Sequence, residues 1–348
     1  MHQWRVMWLF EADGFATISL DILDPKIGEA PLAQGRLDLG LMLRFGEHYS
    51  RIGNPIHWPE LRRLAKLAED VGFDTLWCDD HFVYDTFPND GNPHGAVRGM
   101  WEGFTLLSAV AEATSRVTLG PFVACTSYRN PAHLAKIADT LDDISDGRVI
   151  LGLGAGWNQV EYATYGYPFD HLATRFEEAL QIIVPLLRDG HVDFQGTYYQ
   201  ARNCELRPRG PRANGPPIWI GASKPRMLGL AASYADAYNT VWHTTPEAMA
   251  ERFRAFDAAC RERGRDPATV RHTSGSYVAL PGSDGAVPIQ FRPAIRASPD
   301  EVAEQLHAFQ LAGAEHFTVS VEPWDSTGLE RCGKMIESLR KLEGRDAC

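Results

Sequence analysis

Residues 149–157 read Val-Ile-Leu-Gly-Leu-Gly-Ala-Gly-Trp, and the reading of those glycines decides the fold. A dinucleotide fingerprint is G-x-G-x-x-G between a strand and a helix at the start of a βαβ unit, with an acidic residue about twenty positions further on. Here the spacing is G-x-G-x-G, closed by Trp157 near the middle of the chain, and no acidic strand end follows at the required distance. The stretch reads instead as a strand in its own right. Glycine at the inward end of a strand removes side-chain bulk, so a flat ligand or a neighbouring strand can approach the backbone closely. Both readings of Gly154, Ala155 and Gly156 stay open on the sequence.

The segments on either side place that strand fourth in a series. LDLGLMLRF (37–45) is an apolar run, followed by PELRRLAKLAEDVG (59–72), where Leu61, Leu64, Ala65, Ala68 and Val71 make one helix face. Pro59 suits a first helical turn and Gly72 a stop. Strand–helix pairs then recur: FDTLWC (73–78) and a helix near 103–114, RVTLGPFV (116–123) and 131–145, and RVILGLGAG (148–156) and about 172–188. A hairpin is expected around GTYYQ (196–200). Four further pairs follow: PPIWIGA with 225–235, DAYNTVW with 246–263, VRHTSGSYVAL with 299–312, and HFTVSV with about 328–342. Continuous apolar strands alternating with amphipathic helices make a parallel sheet covered by helices. Eight such units predict an α/β fold, a single (β/α)8 TIM barrel over residues 37–348, with insertions after strands 2, 4 and 7. Residues 1–36 show no period and read as an N-terminal extension. The competing architecture is an open doubly wound sheet plus a second domain, but no linker-like composition shift near 150–200 supports that split.

The formal net charge of −11 argues against a nucleic-acid or anionic-membrane partner, since both would repel the chain. Six cysteines without CxxC spacing read as reduced thiols and not as a disulfide framework or zinc site. The N-terminal apolar run is too short for a signal peptide and no later segment spans a bilayer, which predicts a cytoplasmic protein. The long connections 82–102 and 281–298 follow strands two and seven, on the face where barrel active sites are built. They are candidate substrate walls or lids, with disorder as the other reading.

In a barrel the chemistry lies at the strand C-termini. Strand two ends in Asp79-Asp80-His81, a carboxylate beside an imidazole, which suits a general acid–base pair or the start of a metal site. By strand alternation Asp79 and His81 would share one side and Asp80 the other. His243 is the only good further metal ligand, and strands three to five supply none. A structural role, with Asp80 capping backbone N–H groups and His81 merely packed, is the other reading. Strand five ends in Gly221-Ala222-Ser223-Lys224, then Pro225 opens a helix with Arg226 in its first turn. Exposed N–H groups, the Ser223 hydroxyl and these cations would make a phosphate cradle, or simply an ordinary βα turn.

These residues resemble the bacterial luciferase-like superfamily of flavin- and deazaflavin-dependent oxidoreductases. The matching stretches are LAEDVGFDTLWCDDHF (67–82), RVTLGPFVACTSYRNPAHLAKIADTLDDISDGRVILGLGAGWNQVEYATYGYPF (116–169) and PPIWIGASKPRMLGLAASYADAYNTVW (216–242). Together they cover most of residues 37–245 in order, and the C-terminal third matches by pattern only. The R-N-P-x-x-L-A-K and G-L-G-A-G-W-x-x-x-E-Y segments are most similar to members grouped as F420-dependent. The resemblance implies a (β/α)8 barrel binding coenzyme F420, or alternatively FMN, at its C-terminal end. It places Asp80 and His81 near the ring as catalytic and cofactor-binding residues. It also places a non-prolyl cis peptide at Phe122-Val123, with Cys125 just beyond, behind the ring. Gly154, Ala155 and Gly156 would border the ring, and Gly221, Ala222 and Ser223 would meet the phosphate. Trp101, Tyr128, Trp157 and Trp242 would form an apolar substrate wall. The superfamily's sugar-phosphate dehydrogenases place a glutamate directly after the strand-four G-x-G. Trp157 occupies that place here, which argues against that activity, and Glu161 four positions on is expected to be a helix-surface or salt-bridge residue.

The expected function is therefore F420-dependent hydride transfer to or from a small-molecule substrate, with His81 near the reacting carbon or supplying the proton. The alternatives are an FMN-dependent monooxygenase using reduced flavin and O2 and, outside these, a non-catalytic flavin-binding protein. A metal-dependent barrel hydrolase is more remote still. Expected partners are the substrate, a separate flavin or F420 reductase, and a second copy in a homodimer; the dimer rests on the resemblance alone.

Overall fold

The computed structural model describes residues 35–47, 55–84, 97–283 and 294–346. The reading of 1–36 as an extension therefore lies outside the described residues, apart from Gly35 and Arg36. So do 85–96 and 284–293, the greater part of the two long connections.

Strand β1 (Asp38–Met42) leads to helix α1 (Trp58–Val71) and strand β2 (Thr75–Cys78). Helix α1 begins with Pro59 in its first turn and buries Leu61, Leu64, Ala65 and Ala68. It stops at Gly72, whose φ of 108° lets its N–H reach the Ala68 carbonyl. A short hairpin, β3 (Val83–Tyr84) with β4 (Arg98–Gly99), then precedes α2 (Gly103–Ala113). The third barrel strand comes in two pieces, β5 (Thr118–Pro121) and β6 (Ala124–Cys125), on either side of a cis peptide at Phe122-Val123. Helix α3 (Pro131–Ile144) follows, capped by the Asn130 side chain.

Strand β7 (Leu151–Gly154) is the glycine-rich stretch. It is followed by α4 (Gln159–Tyr165), α5 (Leu172–Asp189) and the hairpin β8 (His191–Gln195) with β9 (Gln200–Glu205). The barrel continues through β10 (Ile218–Gly221), α6 (Pro225–Tyr234), β11 (Ala237–Asn239), α7 (Pro246–Glu262) and β12 (Arg271–Ala279). A two-residue strand β13 (Ile295–Arg296) pairs with β12 before α8 (Pro299–Leu311), β14 (His316–Glu322) and α9 (Ser326–Asp346).

The parallel order is β5-β2-β1-β14-β12-β11-β10-β7-β6. The ring closes because β6 pairs with β7 while Leu119 of β5 bridges Val149 just before it. Counting β5 and β6 as one strand gives the eight of a (β/α)8 barrel. The hairpin expected around 196–200 is present and follows α5, at the end of the strand-four unit. Its tip folds back along α5, where buried Glu178 accepts from the N–H groups of Thr197, Tyr198 and Tyr199 at 2.8, 2.8 and 2.9 Å.

Apolar side chains between strands and helices form one large core. A second, smaller cluster of Met42, Trp77, Phe122, Ile150, Trp219 and Ala237 fills the lumen. Trp77 packs 5.1 Å from Phe122 and 4.9 Å from Trp219, and the His316 ring meets both tryptophans edge-on. This plug fills the lumen, and a cavity opens at the C-terminal ends of the strands.

Candidate active site

Asp79, Asp80 and His81 follow the last residue of β2, and all three line the same cavity. The expected division into two faces does not arise, because strand pairing ends at Cys78 and the alternation of a pleat ends with it. Asp80 is buried, accepts the Cys125 N–H at 2.9 Å and takes both terminal nitrogens of Arg129 at 2.8 and 2.9 Å. Arg129 reaches on to Glu102 at 2.7 Å and lies over the Phe104 ring. Asp80 thus ties the end of strand two to the far piece of strand three, with its charge matched by a bidentate guanidinium.

His81 binds differently. Its Nδ1 lies 2.6 Å from Oε2 of Glu161, a residue of α4 whose side chain is fully buried. Tyr128 donates to the same oxygen at 2.8 Å, and Oε1 accepts the N–H groups of Phe82 at 2.5 Å and Val83 at 3.1 Å. Burial alone would raise the Glu161 carboxyl, but His81, the Phe82 N–H and the Tyr128 hydroxyl together hold it below its ordinary range. Burial likewise opposes the charged imidazole; the hydrogen bond and charge of Glu161, with Asp79 and Asp80, outweigh it and raise His81. The salt-bridge half of the expectation for Glu161 is what the structure contains. The helix-surface half is corrected: α4 turns this side chain inward, under the β3–β4 hairpin.

The glycines of the opening stretch serve the protein's own third strand. A Cβ on Gly152 would stand 2.3 Å from the Pro121 carbonyl, and one on Gly154 2.7 Å from the Val123 side chain. The backbone around Phe122-Val123 presses into β7 there, and only glycine leaves room. Gly156 has φ +83°, and a Cβ there would meet the Tyr162 hydroxyl at 2.1 Å. Close strand packing is thus what Gly152 and Gly154 provide, while Gly154, Ala155 and Gly156 also border the cavity. Behind them the Cys125 thiol contacts Tyr162 at 3.1 Å, and burial pushes it up to about 12, so it stays a neutral packing group.

The cavity at the strand C-termini has a volume of about 880 Å³. Of the residues expected to bind or react, Asp80, His81, Phe122, Val123, Cys125, Gly154, Ala155, Gly156, Gly221, Ala222, Ser223, Tyr128, Trp157 and Trp242 all line it. Trp101 does not: its indole N–H donates to the Ile56 carbonyl at 3.0 Å and its ring faces His57. Sequence position alone placed it in a wall, whereas the short β3–β4 hairpin turns it away. Arg226 is also removed from the expected cradle, being paired with Glu177 at 2.9 Å. Lys224, His243 and Arg252 line the cavity beside the α6 N-terminus, which makes that end polar and cationic. Burial and the charge of Arg252 lower His243. Trp157, 60% exposed, stands 5.5 Å from His81 and 6.2 Å from Tyr84. Among the described residues no cluster of His, Cys, Asp or Glu is arranged to hold a metal ion, and no helix is long and apolar enough to cross a membrane.

Sequence reasoning missed Arg129, Tyr84, Arg252 and the role of Glu161. Two of them act on a residue far along the chain, Arg129 on Asp80 and Glu161 on His81, and spacing within one strand–helix unit does not reveal such pairs. The one available signal was the position of Glu161 in the first turn of a helix that begins just after a strand end.

The model of the luciferase-like monooxygenase family matches residues 37–297. An F420-dependent glucose-6-phosphate dehydrogenase of Microbacterium testaceum is 31% identical over 68% of this chain and 68% of its own. The 5,10-methylenetetrahydromethanopterin reductase of Archaeoglobus fulgidus is 33% identical over 51% of this chain, a match that spans about half (47%) of the reductase. The pyrimidine monooxygenase RutA of Stutzerimonas stutzeri is 36% identical over 66% of this chain and 65% of its own. Among solved structures, an F420-dependent secondary alcohol dehydrogenase with an F420-acetone adduct superposes with a TM-score of 0.73 at 21% identity, over 88% of this chain and all of the other. That likeness shows the shared barrel.

Proposed function

From the premise that the chain belongs to the luciferase-like monooxygenase family, we propose that it is a coenzyme F420-dependent oxidoreductase moving a hydride to or from a small organic carbonyl or alcohol. The observation that carries the reading is His81. An imidazole on the cavity wall, held through Nδ1 by a buried carboxylate, can give or take the one proton that accompanies hydride transfer at a carbonyl carbon.

The residues present fit the cofactor. Phe122 and Val123 offer an apolar backing on one wall, Gly221, Ala222 and Ser223 leave room for close approach, and Lys224 with the first amides of α6 suits a phosphate. When bound, F420 supplies the hydride carrier; binding, orientation and proton movement fall to the protein. Asp80 holds the strand ends in register through Arg129 and Cys125, and Trp157, Tyr128 and Trp242 offer the substrate an apolar wall that excludes water. A second reading, an FMN-dependent monooxygenase, is favoured by the RutA similarity. Titration of the purified protein with F420 and with FMN separates the two: we expect F420 to bind, and tight FMN binding without F420 binding would overturn the proposal.

A further inference from the structure

Glu161 is the buried carboxylate that holds His81 through Nδ1. Three donors other than His81, two backbone N–H groups and the Tyr128 hydroxyl, favour its ionised form. The N–H groups of Phe82 and Val83 occupy Oε1 and cannot accept a proton, while Tyr128 and His81 occupy Oε2. A carboxylate so surrounded accepts at every position. The proton between it and His81 therefore belongs to Nδ1, and the state of the other ring nitrogen, Nε2, follows from that. In the neutral ring Nε2 is a bare acceptor, and it carries a proton only in the imidazolium.

We propose that Glu161 is the positioning residue of this site: by holding the proton on Nδ1 it dedicates Nε2 of His81 to proton exchange with the substrate oxygen. This rests on the hydride-transfer reading of the preceding subsection. In carbonyl reduction the substrate carbon gains the hydride of the reduced cofactor, the C=O π pair moves to oxygen, and that oxygen takes the Nε2 proton. His81 is left neutral with Nδ1–H still on Glu161. In alcohol oxidation neutral Nε2 takes the hydroxyl proton as hydride leaves the carbon for the oxidised cofactor. One residue thus serves both directions, in opposite protonation states. Reduction requires the imidazolium and fades as pH rises, whereas oxidation requires the neutral ring and grows.

Among the described residues, the following groups face His81. Asp79 and Asp80 adjoin it on the same strand end, with Asp80 matched by Arg129. The rings of Tyr84 and Trp157 lie 4.6 and 5.5 Å away, and Tyr128 reaches it only through Glu161. Glu161 is the carboxylate in direct hydrogen-bond contact, so neutralising it has a distinct signature. Glu161→Gln should move the NMR titration midpoint of the His81 ring to lower pH in cofactor-free protein. It should move the alkaline limb of kcat/KM for reduction down by the same amount, lowering the rate above that limb about tenfold, while F420 affinity stays within about twofold. An unmoved midpoint overturns the proposal. Nitrogen shifts of neutral His81 in the unmodified protein supply a measurement that needs no variant: we expect Nδ1 protonated and Nε2 bare, and a proton on Nε2 overturns the proposal. Neither NMR readout requires cofactor, so failure of F420 to bind would remove the hydride-transfer reading while leaving these outcomes intact.

Discussion

At the residue scale the site rests on two buried carboxylates with different tasks. Glu161 meets His81, a partner that can lose its proton; Asp80 meets Arg129, a partner that cannot. Removing one half of such a buried pair strands the other charge in a poorly solvated place, at a cost of about 3–5 kcal/mol. Arg129→Met is therefore expected to lower the unfolding free energy by roughly that amount, because Asp80 then keeps, among the described residues, the Cys125 N–H alone. Adding Asp80→Asn removes the stranded charge and should recover a substantial part. Urea unfolding of the single and double variants checks this, and a double variant no more stable than the single would contradict it.

At the element scale the decisive feature is the break in strand three. The β5 piece pairs with β2 and the β6 piece with β7, and the intervening backbone leans into the strand-four glycines. Gly156 lies just past that contact with positive φ, and a methyl there collides with Tyr162, which itself contacts Cys125 and the Ala155 carbonyl. Gly156→Ala should cost about 1–2 kcal/mol for the backbone alone, plus displacement of Tyr162. Thermal unfolding reads the loss, and a melting temperature equal to that of the parent would refute the account.

The same elements show what was legible in the sequence. The alternation of strands and helices could be read because burial on one helix face, or along a whole strand, leaves a period that Leu61, Leu64, Ala65 and Ala68 display directly. Most cavity residues could be placed because barrel topology gathers strand ends. Helix α4 could not, since seven residues hold too few turns for a period. The pairs Arg129–Asp80 and Glu161–His81 join residues whose proximity only the closed barrel creates, and nothing local to Trp101 marks the hairpin that turns it away.

At the scale of the whole molecule, the lumen plug gives the barrel a dependence on acidity separate from the active site. His316 is fully buried beneath Trp77 and Trp219, its Nε2 lies 3.2 Å from the Thr75 hydroxyl, and burial pushes its pKa down to about 3. Unfolded, it would titrate near 6.5. Between those values the unfolded chain holds a proton that the folded chain refuses, so stability is fully present above pH 6.5 and is lost as pH falls toward 3. His243, also lowered, acts in the same sense. His81, which is raised, acts in the opposite one: its contribution is complete below pH 6.5 and disappears only as pH rises through its folded value. Glu161 and Glu178, both lowered, keep their contributions until pH falls below the ordinary carboxylate range. The window from pH 7 to 5 therefore isolates the imidazoles, and one proton taken up by the unfolded chain corresponds to a loss of about 2 kcal/mol there. His316→Leu should remove most of that loss. Because the comparison is between two pH values of the same variant, any packing cost of the substitution cancels. Urea unfolding of both proteins at pH 7 and pH 5 measures it, and equal losses in the two would show that the buried imidazole does not set the acid limit of the fold.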